Sequence, residues 1–216
     1  MPEAVSIPVT SRDVIAMRHP SCTFTEAQVL QDEADNWPDK VDLLWILEHG
    51  AANTADRTWL ALRGLQERFP SQLCCALRRI LKRMLLRKSV EEVVPIGNAL
   101  LTLLNRVIGG QAIDNGPVQP AQWSRLEQEA WAVARNNKHN ESVRRAAMAI
   151  ARMSEAASGA PHTILSEIIR LPAQVATSER LSLSAEENPD DVAAVAAAEE
   201  YAAQMADVAA AYRGEL

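Results

Sequence analysis

Prolines and glycines divide this chain into segments. In nearly every segment, apolar residues recur at helical spacing. The pattern is sharpest at 72–88, where six apolar side chains share one helix face: Leu73, Leu77, Ile80, Leu81, Met84 and Leu85. Similar stripes follow Thr54, Pro95 and Pro120. Only Ser6 to Thr10 has the pattern of a short strand. We therefore predict an all-α fold.

Capping residues and prolines predict where the helices begin. We expect Thr54 to cap the helix that carries Trp59, and Ser71 to cap the basic helix at 72–88. A capping box at Thr23–Glu26 and the turn at Pro38 predict two earlier helix starts. Further starts are expected at Pro120, after Asn140 and at Asn188-Pro189.

Helices of about 12–18 residues joined by short turns predict antiparallel pairs, arranged as a helical bundle or as a short HEAT-like array. No repeat of fixed period favours the array. We expect an N-terminal extension at 1–22, a helical core domain at 23–172 with a candidate hinge at 109–119, and a linker at 173–187. An alanine-rich, acidic helix at 188–216 completes the chain.

The C-terminal helix has a regular apolar pattern. Six residues follow a 3-4-3-4-3 spacing: Val195, Ala198, Ala202, Met205, Ala209 and Tyr212. Such a narrow seam of mostly small side chains allows close helix packing. The helix therefore docks on its own chain or joins two copies of it in a homo-oligomer.

The net charge of −6 conceals an uneven distribution of charged residues. Residues 1–56 carry three basic and ten acidic side chains, and residues 159–216 carry the same numbers. Residues 57–88 carry nine basic side chains and one acidic side chain. A local basic block between acidic ends keeps anionic partners in consideration, although the chain as a whole is acidic.

The basic block concentrates on the face of helix 72–88 opposite its leucines. This face contains Arg78, Arg79, Lys82, Arg83, Arg87 and Lys88, and Leu86 lies among them. The exposed leucine favours a contact surface, which would bind an acidic protein or a phosphate backbone. The alternative is a solvated face that the acidic segments of the same chain neutralise in part.

A second candidate surface involves Trp131, which lies beside the apolar stripe of its helix. Arg145 and Arg152 form a mixed face on the next helix. A tryptophan near arginines is typical of the residues that anchor protein interfaces. We therefore include these three residues among the candidate partner-binding residues.

The three cysteines do not form a disulfide framework, because Cys74 and Cys75 are adjacent. This cysteine content indicates a reducing, cytoplasmic location. No segment is long and apolar enough to span a bilayer, so we expect no membrane association. Cys75 projects toward the arginines of the basic face, which would favour a reactive thiolate. The alternative is a structural cysteine.

We predict no catalytic residue, cofactor or metal site. The chain lacks a phosphate-binding loop, a dinucleotide fingerprint, a G-x-S-x-G elbow and an H-E-x-x-H motif. The acidic cluster between Asp32 and Asp42 has no accompanying Glu-x-x-His motif, so we interpret it as solvated.

These patterns predict a non-enzymatic protein–protein interaction module, such as an adaptor, an assembly factor or an immunity or inhibitor-type protein. The first alternative is a regulatory protein that binds nucleic acid through the same basic helix. The second is a divergent all-α enzyme whose catalytic residues lie on separate helices.

Overall fold

The computed structural model of the chain describes residues 3–17, 41–50, 52–109, 117–184 and 188–215. Within these ranges the chain forms nine α-helices, and the prediction of an all-α fold is confirmed. The helices are α1 (Ser11–Met17), α2 (Leu43–His49), α3 (Thr54–Arg68), α4 (Pro70–Leu85), α5 (Val94–Ile108), α6 (Pro120–Ala134), α7 (Glu141–Ala157), α8 (Leu165–Leu183) and α9 (Pro189–Tyr212).

Short 3-10 helices precede α5 (Lys88–Val93) and α8 (His162–Ile164). Two two-residue strands, β1 (Pro8–Val9) and β2 (Val41–Asp42), pair antiparallel with Val9 opposite Val41. The predicted capping box at Thr23–Glu26, the Pro38 turn and most of the candidate hinge lie outside the described residues.

Asparagine and aspartate side chains cap four of these helices. Asp42, Asn53, Asn140 and Asn188 each accept a backbone N–H of the helix that follows. The prediction that Thr54 is a cap is therefore wrong by one residue, because the Asn53 carboxamide oxygen already accepts the Asp56 N–H at 2.9 Å.

The predicted cap at Ser71 is also wrong. The basic helix α4 begins two residues earlier than predicted, with Pro70 as its first residue, and no side chain caps it. Proline has no N–H, so it removes one of the free donors that a capping residue would otherwise satisfy.

Side-chain contacts show that α6 and α7 run antiparallel. Arg144, at the start of α7, donates to the carbonyl of Ala134 at the end of α6, and Ser154 donates to the carbonyl of Trp123 near its beginning. The last helix, α9, packs against α8 and also against α2, α3 and α4. Repeats of a linear array contact only their neighbours. The fold is therefore a closed helical bundle.

The N-terminal segment packs into this bundle. Val5 donates its N–H to the carbonyl of Tyr212 at 2.7 Å, and Leu43 donates to the carbonyl of Ile7 at 3.0 Å. Ile7 and Val9 are buried in the core. The described residues before α1 are thus part of the bundle, whereas the sequence suggested an extension.

The predicted linker at 173–187 is helical as far as Leu183, because α8 continues through Pro172. A proline inside a helix leaves the carbonyl four residues earlier without its usual donor and disturbs the adjacent turn. Here Gln204 of α9 donates to the adjacent carbonyl of Ile169 at 3.0 Å. Ala173, Val175 and Ala176 are buried beyond the proline, which accounts for the continuation of the helix.

The predicted seam on α9 is wrong in its first half, whereas its last two residues, Ala209 and Tyr212, are buried as predicted. Its buried stripe has a spacing of four residues: Val192, Ala196, Glu200, Gln204 and Val208. Of the predicted seam, Val195 is 50% exposed, and Ala198 and Ala202 are exposed. The seam was drawn from apolar side chains alone, but α9 turns two polar side chains inward because α4 and α8 provide partners for them.

Across the described part of the chain, no helix combines the length and the hydropathy that a bilayer span requires.

Candidate functional site

The basic residues of α4 and of the turn that follows it form two rows. The inner row, Arg79, Arg83 and Arg87, faces α9. The outer row, Arg78, Lys82 and Leu86, lies one residue earlier in each turn and faces solvent beside α5. Residues four positions apart lie on one side of a helix, so each row is a stripe that spans two turns.

The inner row meets carboxylates of α8 and α9. Arg83 pairs with Glu200 at 2.9 Å and also with Asp207. Arg87 pairs with Glu200 at 2.9 Å and with Glu179 at 3.0 Å. Glu200 is only 3% exposed, so one buried carboxylate bridges two guanidinium groups. This network joins the end of α4 to α8 and α9.

The network keeps the guanidinium of Arg83 charged. Burial alone would lower the pKa of Arg83, but hydrogen bonds to Glu200 and Asp207 and the charges of these carboxylates outweigh burial and raise it. The positive charge of Arg83 and Arg87 is therefore compensated within the chain. Carboxylates of α8 and α9 therefore neutralise these two arginines.

The outer row makes no comparable pairing. Arg78 donates to the carboxamide oxygen of Asn105 at 3.2 Å, a neutral partner. Lys82 and Lys88 are exposed, and neither forms an ion pair with another described residue. Leu86, between these lysines, is 84% exposed. A positive, partly apolar strip thus faces solvent at the end of α4.

A groove of about 330 Å³ lies between α8 and α9, on the side of the inner row. Arg83 and Arg87 line the groove from the α4 side, and Glu200 also lines it. Leu183, on the α8 side, is 78% exposed. The arrangement combines a charged lining, compensated within the chain, with exposed apolar side chains.

The described residues include four large apolar side chains that are exposed, and one of them, Leu183, lines this groove. They are Leu86, Leu181, Leu183 and Val195, which we call the leucine rim. Leu183 lines the groove, and each of the other three is the chain neighbour of a lining residue. A single exposed leucine needs no explanation, but an exposed leucine in a groove lining, with further exposed apolar residues next in the chain to other lining residues, favours a contact surface.

The second predicted surface, at Trp131, is held by contacts within the chain. Arg152 pairs with Glu155 at 2.7 Å and with Glu167 at 2.8 Å. Its guanidinium lies 5.0 Å from the Trp131 ring centroid, and that of Arg135 lies 5.5 Å from it. The indole N–H donates to Glu155 at 3.2 Å. The indole and both arginines therefore already have partners on α6, α7 and α8.

Arg145 is likewise engaged, because it donates to Glu141 at 2.8 Å and to the hydroxyl of Ser178 at 3.2 Å. In the adjoining cluster, burial and the nearby carboxylate of Glu155 raise the pKa of Glu127. Arg145 and Arg152 connect α7 to α8, a role in packing that their sequence positions did not reveal.

Of the two interpretations of Cys75, the structure supports the structural cysteine and not the reactive thiolate. The side chain is fully buried, and burial raises the pKa of the thiol; Arg78 and Arg79 offset only part of this effect. Burial and the neighbouring thiol raise the pKa of Cys74 to about 12. Both thiols are free, and burial makes them structural residues of α4.

The histidines whose surroundings the structure describes are engaged locally. His49 stacks on Trp45 with ring centroids 5.4 Å apart, and His139 contacts Glu92 at 2.6 Å. The described ranges contain no group of three or more His, Cys, Asp or Glu side chains arranged to hold a metal ion. The acidic cluster from Asp32 to Asp39 lies outside those ranges.

Sequence reasoning missed the residues that organise this site: Glu179, Glu200, Gln204, Asp207 and Leu183. One signal was available, since Glu200 and Gln204 lie on the four-residue stripe with Val192, Ala196 and Val208. Because charged and amide side chains usually face water, a seam drawn from apolar residues alone does not include this stripe. The pairing partners lie on other helices, and local periodicity carries no information about them.

Comparison of the chain with protein-family models, with curated proteins and with solved structures gives no match.

Proposed function

We propose that this protein is a non-enzymatic protein–protein interaction module, of the adaptor, assembly-factor or inhibitor type. Its binding surface comprises the leucine rim and the outer row of α4, beside the groove between α8 and α9. The observation that carries the proposal is the exposure of Leu86 and Leu183, at 84% and 78%, where Leu183 lines the groove and Leu86 is the chain neighbour of the lining residue Arg87. Large apolar side chains left this exposed near a groove are typical of a surface that a partner covers.

The apolar contribution of this surface is large enough to support binding. Full burial of a leucine side chain contributes about 1.5–3 kcal/mol. Leu86 and Leu183 together therefore offer about 3–6 kcal/mol to a partner that covers both, in the range of interface hot spots. Lys82 and Lys88 beside Leu86 would add long-range attraction and accelerate association with an acidic partner.

The structure supports some predicted partner-binding residues better than others. Lys82, Leu86 and Lys88 are exposed, and the Arg78 guanidinium has only a neutral hydrogen-bond partner. A partner that recruited Arg83 would have to compete with Glu200 and Asp207. The proposed surface therefore depends mainly on Lys82, Leu86 and Lys88.

The remaining predicted residues are in intramolecular contacts. Arg79 lies beside Asp207. Burial raises the pKa of Asp207, and the positive charge of Arg79 offsets part of this effect. Trp131, Arg145 and Arg152 are held within their own cluster. We retain them as secondary contacts at most.

The nucleic-acid alternative has less support. Specific protein–DNA surfaces neutralise several phosphates, and each neutralised phosphate adds to the salt dependence of binding. Two of the six basic residues at 78–88 are paired with carboxylates. An exposed leucine also contributes nothing to phosphate binding.

The experiment that tests the proposal is affinity purification with quantitative mass spectrometry on two matched variants of the full chain. The first, Leu86→Glu with Leu183→Glu, places two charges on the leucine rim. The control, Ser124→Glu with Gln128→Glu, places the same charges on exposed positions of α6. We expect the first variant alone to lose the specific partner. Retention of the same partner by both variants would contradict the proposed surface.

A further inference from the structure

We infer that the protein binds a zwitterionic amino acid with an apolar side chain in a pocket between α3, α8 and α9. The pocket has a volume of about 190 Å³ and shares no lining residue with the groove beside Leu183. The inference therefore goes beyond the proposed interaction surface and does not depend on it. Three features of one lining carry it: an apolar wall, a guanidinium and a carboxylate.

Apolar side chains from all three helices line this pocket. Trp59 comes from α3, Ile169 from α8 and Tyr201 from α9. Trp59 and Ile169 are each 3% exposed, and Tyr201 packs against the same core. Side chains packed in this way keep their positions when a ligand enters. A preformed apolar wall favours a ligand with an apolar part, because binding removes that part from water.

Arg170 supplies a positive charge to the same pocket. It is exposed and forms no ion pair with another residue of the described ranges. Burial raises the pKa of the Tyr201 hydroxyl, and the charge of Arg170 offsets part of this effect, so the two side chains act on each other across the pocket. A guanidinium binds a carboxylate through two parallel N–H donors. The ligand group that complements Arg170 is therefore a carboxylate.

Asp56 adds a negative charge to the lining. It lies in the first turn of α3, where the side-chain amide of Asn53 donates to its Oδ2 at 2.8 Å. A carboxylate has about four acceptor positions, so Asp56 can accept an ammonium group in addition to its present donors. A simple carboxylic acid would bring only a like charge toward Asp56. An amino acid brings an ammonium group together with its carboxylate, and it complements Asp56 and Arg170 at once.

The volume of the pocket restricts the ligand to a small molecule. About six water molecules occupy 190 Å³ in the liquid, and a sphere of that volume is about 7 Å across. An amino acid with a branched aliphatic side chain is of this size, whereas a nucleotide or a folded peptide is larger. Leucine is therefore the probe that we choose.

The test titrates the nitrogen-15-labelled full chain with L-leucine and follows the indole N–H resonances by NMR. We expect saturable binding with a dissociation constant of about 1 mM or below. The resonance of Trp59 should shift, and that of Trp131, which lies outside the pocket lining, should stay in place. Isocaproate lacks the ammonium group of leucine, and isoamylamine lacks its carboxylate. Each is expected to bind about tenfold more weakly or worse.

Two variants remove the charges of the pocket one at a time. Arg170→Gln and Asp56→Asn are each expected to weaken leucine binding about tenfold or more. Asp56→Asn should not weaken the binding of isocaproate, which has no ammonium group to lose.

Matched controls remove the same charges elsewhere. Arg180→Gln changes an arginine of the same helix, and Asp190→Asn changes an aspartate in the first turn of α9. Both controls should bind leucine within about twofold of wild type, since their charges lie outside the pocket. Circular dichroism of every variant verifies that the bundle is folded.

Three results would overturn the inference. The first is the absence of saturable binding of leucine to wild type up to about 20 mM. The second is equal affinity for leucine in Arg170→Gln, Asp56→Asn and the two controls, which would place the ligand elsewhere. The third is isocaproate binding as tightly as leucine, without an effect of Asp56→Asn on leucine; this would identify a site for simple carboxylates and not for a zwitterion. None of these results bears on the leucine rim.

Discussion

Replacing Glu200 with glutamine tests whether ion pairing holds the last helix in the bundle. Glutamine has almost the same shape, so the substitution removes one negative charge and opens no cavity. Glu200 is 3% exposed and lies between Arg83 and Arg87. Its Oε1 is 2.9 Å from the Arg83 guanidinium, and its Oε2 is 2.9 Å from the Arg87 guanidinium. We expect Glu200→Gln to lower the free energy of unfolding.

The structure sets the size of the loss. A hydrogen bond to a charged group contributes about 1.5–3 kcal/mol, and Glu200 accepts two from arginines. The amide oxygen of glutamine keeps one of these two hydrogen bonds. Its NH₂ group faces the other guanidinium, and because both groups are donors, no hydrogen bond forms between them. Arg83 retains Asp207, and Arg87 retains Glu179. The expected loss is therefore about 2–4 kcal/mol, near the cost of removing one member of a buried ion pair.

Urea unfolding monitored by circular dichroism measures this loss. With a slope of about 2 kcal/mol per molar urea, the unfolding midpoint would fall by about 1–2 M. The matched control is Glu199→Gln, the adjacent carboxylate, whose side chain is 63% exposed and lies 4.0 Å from Arg180. Exposed pairs contribute little, so we expect the control to stay within about 0.5 kcal/mol of wild type.

Two results would refute the reasoning. If Glu200→Gln unfolds within about 0.5 kcal/mol of wild type, the buried network does not stabilise the bundle. If Glu199→Gln costs as much as Glu200→Gln, the effect comes from the overall charge of α9 and not from the pairing with Arg83 and Arg87.

Four further predictions follow from the packing and the titrating groups. Gln204→Met is expected to cost about 1–3 kcal/mol in urea unfolding, because it removes the donor to a buried carbonyl of α8. Gly64→Ala is expected to cost about 1–3 kcal/mol, although alanine favours helices, because its methyl group would overlap the core leucine of α2; a thermal melt with a higher midpoint than wild type would contradict this. Glu127→Gln is expected to stabilise the fold near neutral pH, since burial and a neighbouring carboxylate raise the pKa of Glu127 and its ionised form is unfavourable when folded. That advantage should shrink as the pH falls toward about 4.3, the pKa of an unperturbed glutamate, where wild type is protonated as well; a constant difference across the titration would refute it. In a Cys22→Ser variant, DTNB should leave the two thiols of α4 unmodified until denaturant is added, and rapid modification of Cys75 in the native state would show that it is accessible.

The class of fold was predictable because helix formation leaves local marks in a sequence. Apolar spacing near 3.6 residues located the basic helix and the helix after Pro120 to within a few residues, and Asn188-Pro189 identified the start of α9. Local reasoning failed where distant contacts override a local signal. Pro172 suggested a helix end, but Gln204 and the burial of residues beyond the proline allow α8 to continue.

The candidate site was only partly predictable. The positions of Arg78 and Lys82 on one face of α4, with Leu86 at its C-terminal end, follow from the sequence, since their geometry depends on that helix alone. The function of the adjacent arginines does not. Arg83 and Arg87 look equivalent to Lys82 in the sequence, and only the placement of Glu200 separates cations that hold the bundle together from cations that face solvent.

The amino-acid sequence by itself determined that this chain forms amphipathic helices, roughly where they lie, and that positive charge collects at residues 57–88. The tertiary structure alone decided which charges remain available to a partner. Arg83 and Glu200 are 117 residues apart in the chain and become neighbours only when α9 packs on α4. The physical reason is that a carboxylate is stable in a core only if cations from other helices meet it, and those contacts depend on how the whole bundle packs.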